Sequence, residues 1–274
     1  MIFLFTCGGR TGNQLFQLSH AIGTRRPKEW VISFGFAALK PLLEGEWKKK
    51  WKDVGGRFFR PFVDMFLYPV LYHGLVRTGL VTSHFEEESK IVVRKGKIRW
   101  FVVMRGYFES SRYHGTDFAT HFRLSKALRK KVRPIVSAIP PGKKPIFVHI
   151  RRSDFKDLSL SLPERYYRSA VQLLRDRYPD IYLFVVGDDP DFGETMFRDI
   201  EGKHISHLSP FEDMALMSLC DGGILSNSTF SWWGAFFSTH RAVFVAPRYW
   251  SGWASKRWYP PEIRADFMTL FVEL

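Results

Sequence analysis

A chain of 274 residues, 45% hydrophobic and 25% charged, has the balance of a globular protein with room for about two domains, which excludes a disordered chain or a coiled coil. Its two cysteines, Cys7 and Cys220, exclude a disulfide framework and fit a reducing compartment. The net charge of +14 invites an anionic partner (nucleic acid, a membrane surface or a phosphorylated substrate), and it is unevenly spread: residues 1–145 carry +17 and residues 146–274 carry −3.

Residues 2–6 form a short apolar run closed by Gly8, Gly9 and Arg10. Without a basic leader the run reads as a first strand and not a signal peptide. Leu15, Phe16, Leu18 and Ile22 then recur at helical spacing. Strand, glycine-rich loop and helix are the opening of an α/β domain. Lys48, Lys49, Lys50 and Lys52 mark a charged turn or helix end. Residues 58–75 are apolar and aromatic and predict a buried helix, and the basic residues 94–99 read as a loop. Residues 134–145 hold four prolines and a glycine, which sustain neither a helix nor a central strand. The charge balance changes sign there, so this segment is the expected linker between domains 1–140 and 141–274. Beyond it strands are predicted at 146–150, 181–186, 223–225 and 242–246, with helices at 164–178, 212–220 and 229–238. Strands alternating with helices imply a parallel, doubly wound sheet. No run of about 18 apolar residues occurs, so no transmembrane helix is expected, and the protein is expected to be cytoplasmic.

Four segments carry residue types suited to chemistry. His149 to Asp154 closes a predicted strand, and in open α/β sheets ligands bind beyond the carboxyl ends of strands. Arg151 and Arg152 can grip a phosphate with bidentate, charge-assisted bonds. Neighbours in an extended chain point opposite ways, so one arginine is expected to face the ligand and the other to anchor the loop. The plainer reading is a surface ion pair with Asp154. Ser226, Asn227, Ser228 and Thr229 open a predicted helix whose free N–H groups attract anions; ordinary N-capping explains the same residues, and both readings can hold together. Asp188, Asp189, Pro190 and Asp191 follow a strand. They read as a turn, with Mg²⁺ or Mn²⁺ on Asp189 and Asp191 as the alternative. The glycines of residues 8–14 allow a ligand to approach the backbone closely, or merely turn the chain. No His-Glu-x-x-His site, Walker loop or Gly-x-Ser-x-Gly elbow is present.

Taken in order, these segments resemble the α-1,2-fucosyltransferases of glycosyltransferase family 11. The resemblance rests on the loop from Gly9 to Gln14, on Gly106-Tyr107-Phe108, on His149 to Asp154, on Asp188-Asp189-Pro190 and on Ser226 to Ala235. It runs from about residue 5 to about residue 250, while residues 35–100 match little. The N-terminal loop departs from the family: Arg10 and Thr11 stand where one residue is usual, and the loop is similar to that of protein O-fucosyltransferases.

The resemblance implies an α/β fold of the GT-B type, two facing Rossmann-like domains with parallel sheets. The N-terminal domain would be the acceptor side and the C-terminal domain would bind the GDP-sugar. It implies an inverting, metal-independent transfer of L-fucose from GDP-β-L-fucose to a glycan hydroxyl, O2 of a terminal β-galactoside, with no cofactor. Arg151 would hold the β-phosphate with Arg152 beside it, His149 and Asp213 would contact guanosine, and Ser228 and Thr229 would cap the pyrophosphate. Arg10 and Asn13 would approach from the N-terminal domain. Asp154 is the only carboxylate inside the donor motifs near the chemistry and so is a candidate base, although anchoring the arginines is the simpler role; Asp157 and Glu109 are the other carboxylates considered. Two alternatives are a metal-dependent nucleotide-sugar transferase using Asp189 and Asp191, and a basic nucleic-acid-binding protein. Against the second, aromatics are not interleaved with the lysines as in RNA-binding motifs, and no nucleic-acid partner is expected. The +17 half would then face an acidic glycan, or an anionic membrane surface presenting a lipid-linked acceptor at the inner face.

Overall fold

The computed structural model describes residues 1–55, 60–87, 90–110, 122–240, 243–250, 256 and 263–272. The chain divides into two compact units, Met1–Arg123 and Leu124–Leu274. Each is α/β and Rossmann-like, built on a six-stranded sheet. In the first, the strand order is Trp51–Asp53, Val31–Phe34, Ile2–Phe5, Ile98–Arg105, Val81–Glu87 and Lys90–Arg94. Every neighbouring pair is parallel except the last. In the second, the order is Lys203–Ile205, Ile181–Gly187, Lys144–Ile150, Gly222–Ile224, Val243–Pro247 and Leu270–Val272, parallel throughout.

A strand covered on both faces reads as a continuous apolar run, and residues 146–150 of the central strand of the second unit are all buried. Helix Glu164–Arg177 packs Tyr166, Tyr167, Ala170, Val171 and Leu174 into the same core. It places Glu164 in its first turn and Arg175 and Arg177 in its last, the signs that favour the helix dipole. Helix Pro210–Met217 starts at a reciprocal capping box between Ser209 and Glu212, with Pro210 at its first position. In the first unit, helix Thr11–Thr24 buries Leu15, Phe16, Leu18 and Ile22. A helical run over residues 60–76 lays Val63 and Val76, with Tyr68, Leu71 and Tyr72, on Phe5, Phe34 and Val103 of the sheet. The run alternates α and π turns. Pro69 lies inside it and has no N–H to give, a common cause of such widening.

Three expectations change. Residue 134 lies inside a helix, Lys126–Ser137, and not in a linker. Proline costs that helix one backbone bond, and tertiary bonds offset the loss. Arg129 donates to Ser218 Oγ at 3.1 Å and to the Phe237 carbonyl at 2.8 Å, and Lys131 meets Glu212 at 2.5 Å. This helix and residues 143–144 bring seven cations into the second unit, so the charge is shared more evenly than the halves suggested. The first unit has 20 basic and 10 acidic residues, the second 21 and 17. The run 60–76 is helical but not fully buried: Phe62, Met65, Phe66 and Val70 are 50 to 68% exposed. Finally, residues 94–99 are not a loop, because Lys90–Arg94 and Ile98–Arg105 are strands and only 95–97 turn. Among the described residues no helix is long and apolar enough to cross a membrane.

Candidate active site

In the second unit the chain leaves the central strand Lys144–Ile150 for the strand on one side, Ile181–Gly187, and later returns to the other side at Gly222–Ile224. A reversal of this kind opens a crevice at the strands' carboxyl ends, where α/β sheets bind ligands. Glycine permits the close approach of these strands. A Cβ on Gly223 would meet the Phe147 ring at 2.3 Å, and one on Gly187, whose φ is +154°, would lie 2.1 Å from the Ile150 carbonyl oxygen.

The two loops at the reversal are the two motifs singled out in the sequence. His149 Nδ1 lies 2.7 Å from Ser226 Oγ and ties them together. Its ring is buried and packs near Phe230. Burial, with help from Arg151 and against the pull of Asp188, lowers its pKa to about 3, so the imidazole is neutral. Ser228 caps helix Thr229–Phe236 by accepting from the Phe230 N–H. Ser231 Oγ donates to the carbonyls of Ser226 and Ser228 and closes the loop. Tyr166, which sequence reasoning missed, donates its hydroxyl to the Leu225 carbonyl at 2.5 Å from below. Its place on the buried stripe of helix Glu164–Arg177, with a polar tip needing a partner, was the available signal.

Both arginines are held by carboxylates. Arg151 bonds Asp154 at 2.6 Å and Asp188 at 2.7 Å, with Phe155 below its guanidinium. Arg152 stacks on Phe192 at 3.6 Å and reaches Asp189 at 3.2 Å. Asp188 organises the turn, because it also accepts from the backbone N–H groups of Arg152 and Ser153 and from Ser153 Oγ. Burial pushes its pKa up, but these bonds and the Arg151 charge outweigh it and hold the carboxyl below its ordinary range. Asp189 caps helix Pro190–Met196 and pairs with Lys156 at 2.9 Å as well as with Arg152. Lys156, then the Phe192 N–H and Arg152, lower its pKa against burial. Asp188 and Asp189 thus combine turn and cap bonds with ion pairs to Arg151, Arg152 and Lys156. Asp154 is placed as the partner of Arg151 and of Ser153 Oγ. The side chain of Asp157 lies outside the described residues.

Asp213 stands apart from this cluster. It is buried in helix Pro210–Met217 and accepts from Ser206 Oγ at 2.5 Å. Ser206 follows the strand Lys203–Ile205, two positions along the sheet from His149. Burial, opposed by Ser206 and aided by Glu212, raises its pKa to about 7.

The first unit has its own reversal, between Ile2–Phe5 and Ile98–Arg105. Gly8 and Gly9 have φ of +87° and +80°, which glycine adopts freely. A Cβ on Gly9 would lie 2.7 Å from that of Asn13. Gln17, also missed in the sequence, clamps this loop: its Oε1 accepts from the Cys7 N–H and its Nε2 donates to the Gly8 carbonyl. The sequence shows only a glutamine set among Leu15, Phe16 and Leu18, which does not say which loop the amide serves. Arg10 precedes helix Thr11–Thr24 as its N-cap residue. At the facing strand end the Tyr107 hydroxyl donates to the Cys7 carbonyl at 3.3 Å. The backbone N–H groups of Tyr107 and Phe108 donate to Glu86, which supports Phe108 at its positive φ of 54°. Burial, then Glu86, raises Glu109 to about 7.

Comparison with known proteins agrees with this architecture. The α-1,2-colitosyltransferase of Escherichia coli is 25% identical over 267 residues, covering 88% of this chain and 90% of that one. The crystal structure of the fucosyltransferase NodZ from Bradyrhizobium superposes with a TM-score of 0.53 at 13% identity, covering 86% and 92% of the two chains. A family 9 glycosyl transferase from Veillonella parvula reaches a TM-score of 0.57 at 12% identity, covering 100% and 86%. At such identities the two solved structures speak to the fold, which is of the GT-B type. The model of glycosyl transferase family 11 matches residues 84–258, a span that includes every motif of the second unit, and the chain therefore belongs to glycosyl transferase family 11.

Proposed function

We propose that this glycosyltransferase moves L-fucose from GDP-β-L-fucose to a glycan hydroxyl, with inversion and without a metal. The observation that carries the reading is the joining of two anion-binding elements at one reversal of the sheet. The loop of Arg151 and the helix opened by Ser228 and Thr229 leave neighbouring strands and are tied by the His149–Ser226 bond. As the C1–O bond breaks, negative charge develops on the departing diphosphate. A fixed guanidinium and the N–H groups of a helix start stabilise that charge most when it is largest, which is the condition for catalysis. Arg152 supports the same turn. Asp213 offers a carboxylate for the donor edge of guanine, and Arg10 and Asn13 belong to the first unit's contribution. The attack needs a base to take the acceptor's proton. Glu109, raised to about 7, has an affinity matched to this task, while Asp154 serves to hold Arg151. The pairing of Asp189 with Arg152 and Lys156 supports the metal-independent reading over chelation by Asp189 and Asp191. The acceptor position in this reading is O2 of a terminal β-galactoside; the name of the α-1,2-colitosyltransferase relative supports the 1,2 linkage. That same name favours a second reading, in which colitose replaces fucose on the nucleotide.

Thermal shift with GDP, GDP-fucose, UDP and CMP tests the donor: selective stabilisation by the guanine nucleotides is expected, because a ligand stabilises only the state it binds. Equal response to UDP overturns the guanine reading. Transfer assays with GDP-fucose and GDP-colitose separate the two sugars. Full activity in excess EDTA is expected, and its loss with rescue by Mg²⁺ or Mn²⁺ would establish the metal-dependent alternative.

A further inference from the structure

A crossover helix on a Rossmann-like sheet normally turns a polar face outward. Helix Glu164–Arg177 does so: its exposed positions are Glu164, Arg165, Arg168, Ser169, Gln172, Asp176 and Arg177. The run 60–76 does not. Its inner face covers the sheet with Val63, Tyr68, Tyr72 and Val76, yet its outer face presents Phe62, Met65, Phe66 and Val70, each at least half exposed. Spacings of three and four residues place them on one side of a helix. The single carboxylate of the run, Asp64, is turned to Arg105 at 3.7 Å. Such an apolar strip is covered in the working protein by another surface.

Charge says which surface. Arg77 follows the run and is exposed, and the exposed Lys95 and Lys97 lie beside it, since the Lys97 N–H donates to the Gly79 carbonyl at 3.2 Å. A second copy docked on this strip with the runs side by side in parallel would oppose the Arg77, Lys95 and Lys97 cluster to itself, because a two-fold contact pairs the same patch with itself. A bilayer with anionic headgroups satisfies both features: apolar side chains enter the acyl boundary while flanking cations meet the lipid phosphates.

We propose that the helical run 60–76 is an interfacial membrane-docking element of the first unit, specific for anionic lipid. The inference does not depend on the donor sugar. The test is sedimentation of the full chain with pure phosphatidylglycerol vesicles and with pure phosphatidylcholine vesicles. Binding to the first, weak binding to the second and weakening by salt are expected. The variant Met65→Gln/Phe66→Gln/Val70→Gln is expected to bind phosphatidylglycerol at least tenfold more weakly with an unchanged melting curve, since the substituted positions face solvent. The variant Arg77→Gln/Lys95→Gln/Lys97→Gln is expected to lose most of the salt dependence and to bind both vesicles alike. Absence of binding to phosphatidylglycerol overturns the proposal, as does wild-type binding by the apolar variant. So does a dimer in sedimentation velocity that the apolar variant dissolves, which would assign the strip to a second copy.

Discussion

At the end of Lys144–Ile150 two guanidinium groups are fixed by three carboxylates, Asp154, Asp188 and Asp189. At the end of Ile2–Phe5 the loop is fixed by the neutral amide of Gln17 and by a phenol, Tyr107. Both loops sit where their sheet reverses, so topology alone does not distinguish them. The charged loop has its cations oriented before any ligand arrives, and such preorganisation is what electrostatic catalysis requires. The neutral loop orients backbone amides and carbonyls, groups suited to hydroxyls. On the function proposed above, the developing phosphate charge would fall to the second unit and hydroxyl recognition to the first unit's loop, a division that can be broken experimentally.

The largest effect is expected from Arg151→Ala. Removing one preorganised group that faces developing charge costs roughly 10²- to 10³-fold in turnover. It also leaves Asp154 and Asp188 facing each other without a cation, so the stabilisation conferred by GDP should fall as well. Arg151→Lys keeps the charge without the planar fork and should recover only part of the loss. The readouts are kcat/KM and the GDP-induced shift in Tm. Near-normal turnover in the alanine variant would remove Arg151 from the phosphate grip.

Gln17→Ala comes next and should act on the other loop alone. It leaves the Cys7 N–H and the Gly8 carbonyl without partners, a cost of about 1–3 kcal/mol in stability, measurable by urea unfolding. The GDP-induced shift should fall far less than in Arg151→Ala, because no charged group of the second unit is touched and only the loop that carries Arg10 and Asn13 loosens. If the GDP response disappears with Gln17, the two loops do not act separately.

These two residues also mark what the sequence reveals. The segment around Arg151 stood out because paired arginines at a strand end suit a phosphate, and the ion pair with Asp154 given as its plainer reading is present. The order of motifs from Gly9 to Ala235 made the α/β class and family legible in the same way. Gln17 was not, because an apolar stripe says which face is buried but not which of its members must satisfy a loop. Asp188 was seen as part of a turn, yet its contacts with Arg151, Arg152 and Ser153 depend on three-dimensional proximity between strands 144–150 and 181–187. Pro134 misled for an energetic reason: one lost backbone bond was read as decisive, whereas Arg129 and Lys131 anchor that helix to its neighbour. The outward apolar face of residues 60–76 was hidden too, since composition cannot tell a buried helix from one covered by something else.

A smaller, pH-dependent effect distinguishes Asp213 from Asp188 and Asp189, whose carboxyls are held below their ordinary range. Its carboxyl titrates near 7 in the folded chain, raised chiefly by burial. Guanine offers N–H donors to a carboxylate acceptor, so GDP binding should need the ionised form and should strengthen about tenfold between about pH 6 and 8. The stability of the unliganded protein should move the opposite way. Between the ordinary carboxylate range and about pH 7 the folded state keeps a proton that the unfolded state has lost, so this residue's contribution to stability declines as pH rises through that window. Asp213→Asn should flatten both trends. Parallel movement of affinity and stability would show that another group sets the pH dependence.

The smallest expected effect is Tyr107→Phe. Its hydroxyl makes one bond of 3.3 Å to the Cys7 carbonyl from a partly exposed position, and such a bond contributes about 0.5 kcal/mol. The turn around Phe108 should persist, because Glu86 still accepts from the backbone N–H groups of Tyr107 and Phe108. Stability and the GDP response should therefore hardly change, while KM for the acceptor should rise if the neutral loop is the surface that meets hydroxyls. A kcat loss with constant acceptor KM would instead make the phenol part of the chemical step, and the division between a charged grip and a neutral recognition loop would no longer hold.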